Sequence, residues 1–221
     1  VPTTVSKTQR LALPFLKTEA LYGYVVWADE KICHSQLTLS QLNTQRKALK
    51  CLLSKFQKIE CKTKLATLPL RVSPSRNREW SESRKLVSKI CSLFVQKNNF
   101  QSIRLSLTHT VSATAAIVAS QSVSGIGIDI ESFERKIDER IAKRVKGSQE
   151  RYPKTLKPID IWCAKEAAFK AHPKNKGLVL SDFVFCNLGS IQCKKTRFKI
   201  ILKTVTHEKL KYRIAIAIRV L

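Results

Sequence analysis

Residues 125–131 read Gly-Ile-Gly-Ile-Asp-Ile-Glu, with strict alternation. Side chains alternate across a strand, so Ile126, Ile128 and Ile130 share one face, which enters the core. Gly125, Gly127, Asp129 and Glu131 share the other. Two strand residues span roughly 6.5–7 Å, so the two carboxylates sit side by side and repel. The glycines are expected to leave that face bare, with room for a ligand to lie against the backbone. A divalent cation would relieve the repulsion, and Mg²⁺ typically takes one or two protein carboxylates and completes its shell with phosphate and water. An edge strand with a merely wetted polar face has the same pattern.

A second group lies at 162–170, Trp-Cys-Ala-Lys-Glu-Ala-Ala-Phe-Lys. On a helix, Trp162 and Phe169 share a face and anchor it. Glu166 and Lys170 are i, i+4 neighbours, and Glu166 falls at the rim of the buried stripe. A partly desolvated carboxylate beside an ammonium suits a metal ligand or a general base. An ordinary exposed helix pair has the same spacing. Two further groups stand upstream. Thr108-His109 ends a strand-like segment, a common place for ligand groups. Arg76, Trp80 and Arg84 recur at i, i+4, i+8 near a helix start, alongside Arg78, where guanidinium groups can fork a phosphate or simply be solvated.

The elements that must position these residues follow from periodicity. Residues 21–27 (LYGYVVW) read as a strand. Thr38 to Gln41 has the form of a capping box before a basic amphipathic helix carrying Leu42, Leu49, Leu52, Leu53 and Phe56. Residues 57–79 read as a loop, and a second helix is expected from about 75–78, with Leu86, Val87, Ile90, Cys91 and Phe94 as its buried stripe. Strands are expected at 103–107, 113–120 and 125–131, then helices at 134–146 and 159–171, separated by a loop at 147–158. Strands at 198–205 and 212–220, joined as a hairpin, close the chain. The coarse order repeats, which suggests an α+β fold of two similar halves, 1–121 and 122–221.

Composition bounds the partners. Of 221 residues, 41 are Lys or Arg and 16 are Asp or Glu, a net charge of +25. Such a surface favours a polyanion without choosing among nucleic acid, membrane, phosphorylated ligand or acidic protein. A hydrophobic fraction of 43% excludes a disordered chain, and no apolar run is long enough for a membrane span. The first twenty residues lack a secretory apolar region. Seven cysteines without a C-x-x-C pair suggest reduced thiols in the cytoplasm, and neither the four histidines nor the adjacent Cys33-His34 has zinc-ligand spacing.

GIGIDIE followed by WCAKEAAFK resembles the paired G-[IV]-D-x-E and [WF]-x-x-K-E-x-x-x-K signatures of the 4′-phosphopantetheinyl transferase superfamily. The segments SLTHTVSATAAIVAS and SRNREWSESRKL resemble two further family motifs. The length resembles the surfactin-synthetase type, which implies two α+β halves related by a pseudo-twofold, a monomer and one site per chain. The resemblance implies transfer of phosphopantetheine from coenzyme A to a serine of an acidic acyl or peptidyl carrier protein, with release of adenosine 3′,5′-bisphosphate. It implies Mg²⁺, or Mn²⁺ in its place, on Asp129, Glu131 and Glu166, with Glu166 as base and Lys170 balancing phosphate charge. Coenzyme A contacts would fall to Arg76, Arg84, Thr108, His109, Asp129 and Lys170, and the carrier would dock on 134–146. The rival reading is a basic nucleic-acid-binding protein without enzymatic activity. Charge permits it, but no nucleic-acid motif or interleaved aromatic platform accompanies the charge.

Overall fold

A computed structural model describes residues 8–10, 21–27, 39–61, 63–65, 67, 74–97, 102–110, 112–147, 150–152 and 155–220. Thr38 of the expected capping box and the Cys33-His34 pair lie outside these residues, as does the Phe94 side chain. The structure is α+β, and the chain divides into two compact units, 1–121 and 122–221.

Unit 1 contains β1 (Thr8–Arg10), β2 (Leu21–Trp27), α1 (Leu39–Leu53), β3 (Lys58–Cys61), α2 (Pro74–Lys97), β4 (Ser102–Thr110) and β5 (Ala113–Ser120). Its sheet runs β1-β2-β5-β4-β3, antiparallel except for the parallel β3–β4 pair. All eight residues of β5 are buried, as expected of a central strand covered on both faces. Leu86, Val87, Ile90 and Cys91 of α2 and Leu49 of α1 pack on Ile103, Leu105 and Leu107 of β4 and Val118 of β5. The loop expected over 57–79 is interrupted by β3 and ends at Pro74, where α2 starts. Only four residues long and half charged, β3 is fixed by its neighbour: Ile59 pairs with Ile103, and Glu60 meets Arg104 at 2.7 Å.

Unit 2 contains β6 (Ile126–Ser132), α3 (Glu139–Val145), α4 (Pro158–Ala171), β7 (Val184–Asn187), β8 (Ser190–Cys193), β9 (Thr196–His207) and β10 (Leu210–Val220). The order β6-β10-β9-β8-β7 is antiparallel throughout. The short β7–β8 hairpin at the sheet edge was not legible from periodicity, because neither strand offers more than four residues of alternation.

α4 starts with Pro158 at its first position, and the Asp160 carboxylate accepts a bond from the Lys157 N–H at 2.9 Å. Pro173 follows its end. Its inner face carries Ala164, Ala167, Ala168 and Ala171, all buried. That face lies directly on the glycines of β6. A Cβ on Gly127 would stand 1.9 Å from the Ala167 carbonyl oxygen, and one on Gly125 would stand 2.6 Å from that of Ala171. The expectation of a bare glycine face open to a ligand is therefore corrected: a helix backbone fills it. Asp129 and Glu131 are correspondingly buried, at 4% and 8% exposure.

The helix expected over 134–146 is shortened to Glu139–Val145. Asp138 caps it, its carboxylate accepting from the Ile141 N–H at 2.8 Å. Upstream, Arg135 turns back instead: its N–H donates to the Ser132 carbonyl and its guanidinium to Glu131. The 147–158 connection is held by Glu150, which is buried with Lys165. The Lys165 ammonium donates to Glu150 and to the Val145 carbonyl at 2.7 Å. Glu150 also accepts from the N–H groups of Gly147 and Phe185. Breaking one side of such a fully satisfied buried pair is costly.

Gly127→Ala is expected to lower the unfolding free energy by at least about 3 kcal/mol, the upper end of ordinary overpacking, because the Ala167 carbonyl that the new Cβ meets is rigid backbone. Gly189→Ala is the control, since its Cβ would meet only the Asn187 side chain at 3.8 Å. Urea midpoints of the two variants check this, and equal midpoints would contradict it.

Candidate functional site

The Gly127 contact fixes what lies one step along each element. Two residues beyond Gly127, Asp129 projects from the same face of β6, and one residue before Ala171 and Ala167 stand Lys170 and Glu166 on α4. The Lys170 ammonium donates to Asp129 Oδ1 at 2.8 Å and to the Ile128 carbonyl at 3.2 Å. The Trp162 indole N–H donates to Glu131 at 3.2 Å, and the Arg135 guanidinium donates to the same oxygen of Glu131. The guanidinium carbon lies 5.1 Å from the Trp162 ring centroid, in cation–π range. Glu131 is thus clamped by α4 and by its own strand's exit.

Electrostatics ties Glu166 to the same place. Burial lifts its carboxyl above the usual range near 4.5; Lys170 opposes this, and Asp129 and Glu131 reinforce it. Burial likewise lifts Glu131, opposed by Arg135 and reinforced by Asp129. The Cys163 thiol is pushed far up by burial, with Asp129 and Glu131 adding to the effect. Three carboxylates therefore share one region of unit 2 with two cations, Lys170 and Arg135, and the acids are in excess.

Among the described residues, no group of three His, Cys, Asp or Glu side chains already stands in a metal-holding arrangement. Asp129 is engaged by Lys170 and Glu131 by Arg135. The donor chemistry nevertheless fits Mg²⁺: the oxygens are hard, they carry surplus negative charge, and this ion commonly takes only one or two protein carboxylates. Asp129, Glu131 and Glu166 are the residues that would hold it.

The other sequence-predicted residues belong to unit 1. His109 Nε2 lies 3.2 Å from a carboxylate oxygen of Glu79 on α2, and Thr108 is buried beside it in β4. Arg76 is exposed at the start of α2. Arg84 is buried, and its guanidinium donates to the Leu65 carbonyl, the Lys64 carbonyl and the Ser83 hydroxyl, at 3.0, 3.0 and 2.6 Å. Burial pulls its pKa down to about 10. The guanidinium carbon also sits 5.3 Å from the Trp80 ring centroid. A phosphate on Arg84 would have to displace bonds that hold the 64–65 segment. Sequence reasoning missed Arg135 and Trp162 as the partners of Glu131, and Glu79 as the partner of His109. Arg135 was legible as an i+4 neighbour of Glu131, whereas the other two contacts cross between elements.

Residues 125–217 match the family model of the 4′-phosphopantetheinyl transferase superfamily. The match supports that superfamily, and it contains Asp129, Glu131, Glu166 and Lys170. No curated protein matched the chain.

The raised carboxyls have a signed consequence for stability. The folded state retains protons that the unfolded chain has released near pH 4.5, so this contribution is fully present below that pH and drains away as pH rises through the folded-state values. Glu166→Gln removes one such group. The variant is expected to melt above the wild type at pH 7, with the gap shrinking at pH 4. A gap that does not change with pH, read by thermal melts in matched ionic strength, would contradict the assignment.

Proposed function

We propose that this chain transfers the 4′-phosphopantetheine group of coenzyme A to a serine hydroxyl of an acyl or peptidyl carrier protein, with Mg²⁺, releasing adenosine 3′,5′-bisphosphate. The observation that carries this reading is the convergence of Asp129, Glu131, Glu166 and Lys170 where α4 lies on the β6 glycines, within the segment that matches the superfamily.

Asp129, Glu131 and Glu166 would hold the cation, which would supply charge neutralisation and orientation for the diphosphate. Glu166 is assigned to take the proton of the incoming serine, as a carboxylate held at the centre of the cluster. The serine oxygen bonds to the phosphorus that carries the pantetheine arm. The bond from that phosphorus to the bridging oxygen breaks, and that oxygen leaves with the adenosine 3′,5′-bisphosphate. Lys170, anchored by Asp129 and the Ile128 carbonyl, offsets the charge that develops on the phosphate oxygens. Arg76, Thr108 and His109 are assigned to the coenzyme A phosphates. Arg84 serves that half of the ligand by fixing the 64–65 segment through its two bonds to the Leu65 and Lys64 carbonyls. The charge of +25 speeds encounter with a polyanionic co-substrate and an acidic carrier.

The test is incubation with coenzyme A, Mg²⁺ and several apo carrier proteins, followed by mass spectrometry of the carrier. The expected result is a phosphopantetheine increment that chelation abolishes. Asp129→Asn keeps the side-chain shape beside Lys170 and is expected to lower kcat/KM at least about a hundredfold, on the scale of losing a charge-stabilising group. No transfer to any carrier, together with tight salt-sensitive binding of RNA or DNA, would overturn the reading in favour of a nucleic-acid-binding protein.

A further inference from the structure

Three ion pairs tie α4 to three other parts of unit 2, and their members on the helix are spaced five residues apart. Asp160 Oδ1 lies 2.6 Å from Arg213 Nε on β10, the Lys165 ammonium meets Glu150 in the loop after α3, and Lys170 donates to Asp129 on β6. Five residues turn an α-helix by about 140° beyond one full turn and advance it by about 7.5 Å. The pairs therefore leave the helix in three directions at three heights. Together they oppose both rotation about its axis and sliding along it. They differ in access: the Lys165 and Glu150 side chains have no exposure, Asp160 has 4% and Lys170 has 24%. Lys170 is the member a ligand can reach.

We infer that Lys165 and Glu150 are positioning residues of the transfer site: they keep α4 in its rotation while Lys170 exchanges Asp129 for a phosphate. The inference rests on the proposed reaction, in which a cation would take Asp129 and Lys170 turns to the phosphate oxygens. That exchange removes one of the ties at the moment Glu166 has to be held in place. Two ties at different heights and about 140° apart still fix a rigid helix, whereas a single tie lets it pivot. Of the two that remain, the Lys165–Glu150 tie is the fully buried one. Its ammonium also donates to the Val145 carbonyl at 2.7 Å and lies 5.4 Å from the Tyr152 ring centroid. Glu150 accepts from the N–H groups of Gly147 and Phe185 at 3.0 and 2.7 Å. Lys165 directly precedes Glu166, so a rotation that frees Lys165 carries the Glu166 carboxylate with it. Displacement of a reacting group by about 1 Å costs on the order of a hundredfold in rate.

The test uses the double variant Lys165→Met with Glu150→Gln, which removes both buried charges together and leaves neither unpaired. Ile216→Ala is the control: Ile216 is buried on β10, on the sheet face opposite Ala215 and Ala217, which pack with α4. Amide hydrogen exchange of residues 164–170 gives the first readout, with neither metal nor substrate present. The double variant is expected to exchange within about threefold of wild type, because two ties remain. Adding Lys170→Met is expected to speed exchange at least about thirtyfold, more than the product of the separate effects. Transfer kinetics at saturating Mg²⁺ give the second readout. The double variant is expected to lose at least about tenfold in kcat while the coenzyme A KM stays within about threefold. Ile216→Ala is expected to melt lower than wild type yet keep its kcat within about threefold. Exchange effects that multiply independently, or a wild-type kcat in the double variant, overturn the inference. An equal kcat loss in Ile216→Ala overturns it too, by reducing the pair to general stability. If exchange follows the expected pattern and the wild type modifies no carrier, the transfer reading falls and the hold on α4 stands. If the wild type transfers and the exchange effects are independent, the transfer reading stands and the inference falls.

Discussion

Everything in the carboxylate cluster depends on how closely a helix backbone can approach a strand. α4 touches β6 where both chains have almost no side chain, glycine on the strand and alanine on the helix. A single Cβ at Gly127 would occupy the space of the Ala167 carbonyl oxygen. This approach brings Lys170 within hydrogen-bond distance of both Asp129 and the Ile128 carbonyl. It also desolvates Glu131 and Glu166 enough to raise their proton affinity. The glycines serve the site by admitting a helix rather than a ligand, and the helix then supplies the charged groups.

A second set of contacts holds α4 from behind. Lys165 points away from the carboxylates into a closed pocket with Glu150, and Glu150 in turn gathers the N–H groups of Gly147 and Phe185. Consecutive residues on α4 thus do different work. Lys165 locks the helix to the loop that follows α3, and Glu166 faces the acids of β6.

Much of this was legible in the sequence because it is local. Alternation placed β6, the i, i+4 rule set Glu166 and Lys170 together on α4 although the Lys170 ammonium bonds Asp129 instead, and the stripe of α2 through Leu86 and Ile90 follows helical spacing. What was not legible depends on partners distant in the chain. β3 is a strand because β4 lies beside it, and β7 and β8 are too short for periodicity to register. The length of α3 was misread because Arg135 continues the helical pattern in sequence but is drawn to Glu131 in space. Arg84 reads as a phosphate fork from its spacing, yet its donors go to backbone carbonyls nineteen and twenty residues upstream.

The most direct measurement is a crystal structure of the chain soaked with coenzyme A and Mg²⁺. The expected density shows the cation bonded, at about 2.1 Å, to Asp129 and at least one of Glu131 and Glu166, with the coenzyme A diphosphate completing its shell. A diphosphate bound elsewhere on the chain, with Asp129 still engaged only by Lys170, would contradict the assignment of the α4–β6 contact as the reaction centre.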